Sequence, residues 1–532
     1  MTRSDQMHHR KLDRRQLVAG AAGLGLAAPF LGRDVSALAA PSRQDATPTP
    51  TSGGILNVGL QSDPTALDPQ KQNLTAIWHV IEHIYEGLTR ITPDLSVEPA
   101  LAEGWEISED GTSYMFVLRE GVTFHDGTPL KASDVKFTFE RWVAPETAST
   151  SAAELASVAS IEATDDRTVV MTLHAPDASL LATLAGGSAV IYSEVFVKAN
   201  NNDVSQVAMG TGPFKFVEYV PNTRIVLERN ENYWAEGLPY LDGIEMTIAA
   251  DDTARTAAVV TGTVDFIEYA PLRDIPALEA DASLKLAGDS NTNIRFIGFN
   301  LSKEPFDNPL VRQAIAAVVD REAMLGPTVF GYGTPTEVLF PPDFWATLQQ
   351  DVRPPDVERA KSLMAEAGLA DGFSTTITSW SQYSFLSNAA VVLQEQLRQI
   401  GIEAELNLVE NATMVEQVYT GKTYDIAVTG ESAYVDPNTL IFQNFKSGES
   451  GNFVNYSNPE VDELIDQGIA STDQEERARI YQDIQALLLE DLPWINLFVA
   501  NQYEAMKDYV QGYVHIPTGS NASFRTTWLS GE

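Results

Sequence analysis

The 532-residue sequence contains no cysteine. The protein can therefore form no disulfide, present no thiolate nucleophile and hold no zinc ion or iron–sulfur cluster through sulfur ligands. A lipid-modified N-terminal cysteine is excluded as well. This last absence matters because the N-terminus otherwise has the features of an export signal.

Basic residues are scarce: 35 Lys and Arg stand against 73 Asp and Glu, which gives a formal net charge of −38. A surface this acidic repels nucleic acid and anionic lipid, so neither is expected as a partner. Beyond the N-terminal segment, no apolar run is long enough to cross a membrane. The remaining composition, 44% hydrophobic and 20% charged, is typical of a globular protein.

Common catalytic fingerprints are also missing. The sequence has no G-x-S-x-G elbow, no P-loop and no G-x-G-x-x-G turn. Ser133 and Lys136 form an S-x-x-K pattern, and residues 446–448 (KSG) resemble a second motif of serine penicillin-binding enzymes, but no S-D-N lies between them. We interpret Ser133 as a helix cap instead.

The N-terminus carries the pattern of a secretory signal. A basic region ends in the pair Arg14-Arg15, residues 17–31 form an apolar run rich in Ala and Gly, and residues 37–39 (ALA) form a small-x-small cleavage site. The paired arginines predict the twin-arginine export route, which would place the protein in the periplasm or outside the cell. We expect a signal peptide over 1–39, and a membrane tether if it is not cleaved.

The rest of the chain divides by composition and rhythm. Residues 40–54, rich in Pro, Thr, Ser and Gly, predict a flexible linker. Strand patterns dominate from Ile55 to about Ala287, whereas helices alternate with β-segments after about Asn293. This change predicts two α/β lobes, with the chain crossing between them near 290–296 and again near 493–503.

The segment HVIEH, residues 79–83, fits the H-x-x-E-H spacing of some zinc peptidases. On a helical wheel with about 100° per residue, Ile77, Val80, Ile81, Ile84 and Leu88 form one buried stripe. The acidic and imidazole side chains then fall on the opposite side, facing water or a cleft; they are His79, Glu82, His83 and Glu86. A solvated helix face is the favoured interpretation, and a zinc site on His79 and His83 is the weaker alternative.

Two loops that follow predicted strands suggest a ligand site. Trp380, Tyr383 and Phe385 follow the strand at 374–380; Tyr434, Asp436 and Asn438 follow the strand at 424–430. In open α/β sheets, ligands collect beyond the carboxyl ends of strands. We therefore predict a binding cleft with aromatic walls and a few polar contacts.

A series of motifs extends over most of the chain, in a fixed order. They are YEGLTR (85–90), LAEGWEISEDGTSYMFVLREGVTFHDGTPLKASDVKFTFER (101–141), GTGPFKFVEYVPNTRIVLERNENYW (210–234), GTVDFI (262–267), FNLSKEPFDNPLVRQAIAAVVDRE (299–322), LQEQLRQIGIEAELNLV (393–409), YDIAVTG (424–430) and NYSNPEVDELI (455–465). Together they resemble the family 5 extracellular solute-binding proteins, the peptide, oligopeptide and nickel receptors of ABC importers.

This resemblance implies a non-enzymatic receptor with the two-lobed periplasmic-binding-protein fold, an α/β fold of the large, class II-like type. Lobe I is expected at 55–292 with an inserted subdomain at about 91–205, lobe II at 293–499, and a return to lobe I at 500–532. The family passes a small-molecule or peptide ligand to permease subunits in the membrane. No cofactor is expected, and the chain is expected to be a monomer.

The sequence departs from the peptide receptors of this family at two positions. Those receptors carry an aspartate for the peptide amino group where this chain has about Ala433, and dipeptide receptors carry an arginine for the carboxylate near Trp380. No arginine lies between Thr375 and Gln396 here. Both charged groups need a partner once they lose water, so a free dipeptide is not expected. Longer peptides, an uncharged oligosaccharide and a nickel complex remain open.

The combined prediction is a ligand held between two lobes. Trp380, Tyr383 and Tyr434 would supply apolar walls, with Asp436 and Asn438 as polar contacts and no metal. The alternatives are a secreted zinc hydrolase that uses His79, Glu82 and His83, and a structural surface protein that binds no ligand.

Overall fold

The computed structural model describes residues 49–72, 74–431 and 435–531. The predicted signal peptide, most of the predicted linker and Tyr434 lie outside the described residues. Among the described helices, none combines the length and the apolar character needed to span a bilayer.

Strands outnumber long helices up to about residue 290, as the sequence rhythm predicts. The elements of this part are β1 (Ile55–Leu60), α1 (Thr75–Ile81), β2 (Thr89–Ile91), β3 (Val97–Pro99), β4 (Ala102–Ile107), β5 (Ser113–Leu118), α2 (Ala132–Val143), β6 (Val158–Ala163), β7 (Thr168–Leu173), α3 (Leu180–Thr183), α4 (Glu194–Ala199), β8 (Phe214–Val220), β9 (Arg224–Arg229), β10 (Gly243–Ile248), α5 (Asp252–Thr261), β11 (Phe266–Ile267) and α6 (Ile275–Glu279).

Longer helices alternate with strands in the rest of the described chain. These elements are β12 (Leu284–Phe299), α7 (Pro309–Val318), α8 (Arg321–Val329), β13 (Gly333–Pro335), α9 (Val357–Glu366), β14 (Phe373–Trp380), α10 (Ser384–Arg398), β15 (Ile402–Val409), α11 (Asn411–Met414), β16 (Ile426–Glu431), α12 (Pro437–Phe445), α13 (Pro459–Ala470), α14 (Gln474–Asp491), β17 (Trp494–Lys507), β18 (Val510–Gln511) and β19 (Trp528–Leu529).

Of two helix caps predicted from the sequence, one is present and one is not. Asn308 accepts a hydrogen bond from the Leu310 N–H (3.0 Å), as its predicted capping role requires. Ser133 is not a cap: α2 begins one residue earlier, Lys131 occupies the cap position, and Asp134 accepts a hydrogen bond from the Lys131 N–H (3.0 Å). The carboxylate three residues into the helix satisfies the exposed backbone donor, so the serine is not needed.

One large sheet joins the two parts of the described chain. Its strand order is β15-β14-β16-β12-β17-β11-β1-β10-β9-β8. The long antiparallel pair β12 and β17 lies at its centre, and the pairing register breaks between Ser290 and Ile294. Residues 284–290 of β12 pair with 501–507, whereas residues 294–298 pair with 494–499. Two strands with an irregular register therefore connect the two parts.

Separate hydrophobic cores lie on each side of this register break. Helices α7 to α10 cover one face of the β14–β16 region, and α12 to α14 cover the other. The core beneath β1 and β10 takes in Val510 and Phe524 from the end of the described chain. The sheet β4-β5-β7-β6 and α2 enclose a further core, most of whose residues belong to the predicted inserted subdomain. The lobe bounds themselves stay a prediction.

The two parts also touch away from the central strands. Leu95, in the turn between β2 and β3, lies in the core built mainly by α12 to α14. The Ala178 N–H donates a hydrogen bond to the carbonyl of Ile469 at 2.9 Å. The conformation described is thus one in which the first part contacts the second through the β2–β3 turn.

Candidate functional site

The segment HVIEH does not form a solvated helix face. Helix α1 ends at Ile81, so Glu82 and His83 lie beyond it, and the helical wheel does not apply to them. His79 is 3% exposed and His83 is 1% exposed. The predicted water-facing orientation of the two imidazoles is therefore wrong. Residues just after β11 bury His79, and β8 and the C-terminal segment bury His83.

Carboxylates surround His79. Its Nδ1 forms an ion pair with Glu268, and its ring stacks on Tyr269 with a centroid distance of 5.6 Å. Burial alone would lower the pKa of His79, but the charge of Glu268 and its hydrogen bond, with weaker effects from Glu82 and Glu504, raise it to about 9. The ion pair with Glu268 therefore favours the protonated form of His79.

His83 lies in an apolar environment. Its ring stacks on Phe524 at 5.1 Å and meets the edge of Phe214 at 6.3 Å. Neither ring nitrogen has a hydrogen-bond partner in the described chain, and burial lowers the pKa of His83 to about 3. Within the described residues, no group of three or more His, Cys, Asp or Glu side chains has a geometry that could hold a metal ion. The segment is part of a core, and the zinc interpretation has no geometric support.

The ends of the two strands lie side by side. Strands β14 and β16 are parallel neighbours, so their carboxyl ends lie at one edge of the sheet. Trp380 ends β14, and its indole Nε1 donates to Thr429 Oγ1 of β16 at 3.2 Å. The hydroxyls of Tyr419 and Thr429 are 2.9 Å apart. These contacts hold a half-buried indole between the two cores on either side of the sheet.

An aromatic surface extends from Trp380 towards solvent. The ring of Tyr383 is 5.8 Å from that of Trp380 and 5.7 Å from that of Phe385, centroid to centroid. Tyr383 is 46% exposed. We call Trp380, Tyr383 and Phe385 the aromatic cluster. Its exposed ring and rigid base are suited to a ligand's apolar surface.

Asp436 and Asn438 have structural partners. Asp436 accepts from the Asn438 N–H at 2.9 Å and so caps α12. Its two carboxylate oxygens also pair with the guanidinium of Arg477 at 2.8 and 2.9 Å. Burial opposes the charge on Arg477, but Asp436 outweighs it and raises the pKa of Arg477. A ligand contact by Asp436 or Asn438 stays a prediction, as does one by Tyr434.

Arg295 is a residue of this site that the sequence reasoning missed. It lies on β12, directly opposite Gly430 of β16, and its guanidinium carbon is 4.9 Å from the centroid of the Phe385 ring. The family resemblance implies a cation in the loop after β14, whereas Arg295 lies on a different strand of the sheet. A single charge inside the otherwise apolar stretch IRFIGF was a signal that could have found it.

Comparisons with known proteins agree with this architecture. The sequence profile of the bacterial extracellular solute-binding proteins, family 5 Middle, matches residues 96–453. The chain is 29% identical over 473 residues to the glutathione-binding protein GsiB of Salmonella typhi, covering 86% of this chain and 92% of the relative.

Solved structures give the same result. AgaA of A. tumefaciens R10, solved with agropinic acid, superimposes with a TM-score of 0.76 at 30% identity, covering 90% of this chain and 99% of AgaA. DppA of Helicobacter pylori, solved with the peptide STSA, superimposes with a TM-score of 0.76 at 26% identity, covering 90% of this chain and 99% of DppA. The predicted fold class is thereby confirmed. The chain belongs to the bacterial extracellular solute-binding proteins of family 5, which bind solutes for ABC importers and are not enzymes.

Proposed function

We propose that this protein captures a small, peptide-like solute between its two lobes and delivers it to the permease subunits of an ABC importer. The observation that carries the proposal is the aromatic cluster at the joined carboxyl ends of β14 and β16. Such an edge is where open α/β sheets bind ligands. The ligands named for the relatives support the peptide-like class, since glutathione and STSA are both short peptides.

The lobes are proposed as 55–292 with 500–532, and 293–499. The register break between Ser290 and Ile294 supports a hinge at this boundary, because pairing there is already interrupted and a bend need not break regular ladder bonds. Closure would trap the ligand because the closed form contacts it from both lobes.

Export by the twin-arginine route and a periplasmic or extracellular location are part of the proposal. They rest on the basic, apolar and small-residue pattern of residues 1–39. We propose a monomer in solution, either released or held by an uncleaved signal.

A thermal-shift panel tests the ligand class. A ligand that binds only the folded protein raises its stability by RT ln(1 + [L]/Kd), about 2.7 kcal/mol at a hundredfold excess over Kd. Short peptides should raise the melting temperature, whereas maltotriose and nickel chloride should not. A shift with maltotriose or nickel alone would exclude the peptide-like class, and mass spectrometry of small molecules that co-purify with the protein checks the assignment independently.

A further inference from the structure

We infer that Arg295 binds a carboxylate of the ligand, so that the solute taken up carries a carboxylate group, as a peptide with a free C-terminus does. This inference rests on the proposed function and narrows it. It also revises the expectation drawn from the loop after β14: the cation absent from that loop is present on the neighbouring strand β12.

The sheet makes room for this side chain. Arg295 faces Gly430 across the β12–β16 pair, and a Cβ atom at position 430 would lie 2.7 Å from Arg295 Nη1 and 2.8 Å from its Cδ. Any larger residue at 430 would collide with the arginine side chain. The same Cβ atom would lie 2.7 Å from the carbonyl oxygen of Ile294, so the glycine leaves room for both the β12 backbone and the Arg295 side chain.

The guanidinium of Arg295 is poorly satisfied by the protein. Nη1 donates to the carbonyl of Ile294 at 3.2 Å, Nε has no acceptor, and among the described residues no carboxylate forms an ion pair with it. Burial lowers the pKa of Arg295 to about 10, with only the charge of Glu431 acting in the opposite direction. Arg295 is partly exposed, and its buried Nε has lost water without gaining an acceptor, which is costly; a bound carboxylate would reduce that cost.

The buried arginines of the described chain differ from the partly buried Arg295 in this respect. Four of them form an ion pair with a carboxylate. Two of these four, Arg141 and Arg255, also have an Nε without an acceptor. The fifth, Arg312, donates to three backbone carbonyls. The carboxylate partners are Asp68 for Arg141, Asp252 for Arg255, Glu337 for Arg321 and Asp436 for Arg477. Arg295 therefore differs from the buried arginines of the described chain, because the protein supplies its guanidinium with only one backbone acceptor.

The surroundings of Arg295 suit a ligand with both an acid and an apolar part. Its guanidinium carbon lies 4.9 Å from the Phe385 ring centroid, so the cation is stacked on one end of the aromatic cluster. Stacking orients the planar fork without consuming its N–H donors. The net charge of −38 otherwise disfavours anions, so a specific anion site needs a fixed cation of this kind.

Matched probes test the inference by calorimetry. Ala-Ala-Ala and Ser-Thr-Ser-Ala, each as the free acid and as the C-terminal amide, are titrated into wild type, Arg295→Gln, Arg295→Lys and Arg398→Gln. In wild type the acid should bind at least tenfold more tightly than its amide, about 1.4 kcal/mol. Arg295→Gln should abolish this preference, and Arg295→Lys should retain part of it, because lysine keeps the charge but not the two-pronged geometry.

Arg398→Gln is the matched control, because Arg398 lies at the far end of α10 and is 45% exposed; it should keep the wild-type preference. Equal binding of acid and amide by wild type, or an unchanged preference in Arg295→Gln, would overturn the role of Arg295 and leave the peptide-binding proposal intact. If none of the four probes binds wild type, both proposals fail. Melting temperatures of the apo variants confirm that each is folded.

Discussion

At the residue scale, Tyr383 and Trp380 differ in how much each ring contributes to the packing of the protein. Trp380 is half-buried, hydrogen-bonded to Thr429 and packed on two cores, whereas Tyr383 is 46% exposed. Removing the tryptophan therefore alters both the ligand surface and the packing, but removing the tyrosine alters mainly the surface. The two substitutions separate binding from stability.

We expect Tyr383→Ala to weaken ligand binding about tenfold, roughly 1.4 kcal/mol, with little change in melting temperature. Trp380→Ala should weaken binding at least as much and also lower the free energy of unfolding, by about 3 kcal/mol if the site does not collapse. Calorimetry and urea denaturation measure the two effects. Phe330→Ala removes an exposed ring at the end of α8 and should change neither quantity. Unchanged affinity in Tyr383→Ala would remove that residue from the site.

A pH dependence follows from His79. Its folded pKa of about 9 lies above the unfolded value of 6.5, so protonation stabilises the fold. The contribution is fully present below pH 6.5 and is lost as the pH rises through 9. A pKa shift of this size corresponds to about 3 kcal/mol in the free energy of unfolding.

Urea denaturation at pH 6 and pH 9.5 measures this contribution. Wild type should lose more stability between the two values than His79→Gln, which cannot titrate. The ion pair with Glu268 is the main source of the raised pKa, so Glu268→Gln should remove most of the same difference. Identical losses in wild type and His79→Gln would show that the imidazole is neutral in the folded state.

At the scale of the element, one residue in the loop before α12 both caps the helix and forms a buried ion pair. Asp436 caps the helix and pairs with the buried Arg477. Asparagine can also cap a helix, so Asp436→Asn should preserve the cap but remove the ion pair. Because an uncompensated buried cation is strongly destabilising, we expect a loss of about 3 kcal/mol in the free energy of unfolding.

Asp356→Asn is the control for this prediction. Asp356 caps α9 by accepting from the Arg359 N–H at 2.9 Å, and it is exposed. Its replacement should change stability by no more than about 0.5 kcal/mol. If Asp436→Asn were equally mild, the pairing with Arg477 would contribute little to the fold.

The sequence was informative about elements whose signals are local. The Asn308-Pro309 start of α7 and the alternation of helix and strand after β12 follow from capping and periodicity, and both are present. The predicted orientation of His83 was wrong because the wheel assumed that α1 continued past Ile81. His79 lies within α1 but is buried by Glu268 and Tyr269, which come from a distant part of the chain. Arg295 was missed because its neighbour Gly430 comes from a distant strand, and one sequence does not give the order of strands in a sheet.

Contact between the two parts of the described chain has a consequence at the scale of the whole molecule. Leu95 is 8% exposed because it lies in the core of the other part, in a turn where its φ is 63°. Leu95→Asp should preserve this turn, because aspartate tolerates the left-handed conformation. The charge, however, cannot be buried in an apolar core without cost, so the conformation in which the two parts touch should be disfavoured.

Small-angle scattering with and without ligand tests this prediction. Leu95→Asp should show a larger radius of gyration than wild type in the presence of ligand, and a weaker affinity. Leu74→Asp places the same charge on an exposed leucine before α1 and should behave like wild type. Equal scattering curves for Leu95→Asp and wild type would mean that the β2–β3 turn does not hold the two parts together.

Val510 and Phe524 pack on β1 and α1 residues that precede them by most of the chain. On the ribosome, this first core remains open until nearly the whole polypeptide has emerged, whereas the cores around α7 to α14 are built almost entirely from one uninterrupted stretch. The middle of the protein should therefore fold during synthesis, and the two ends should join last. A truncated product that stops before Val510 would expose an unfinished apolar surface to chaperones and proteases, even with the aromatic cluster already formed.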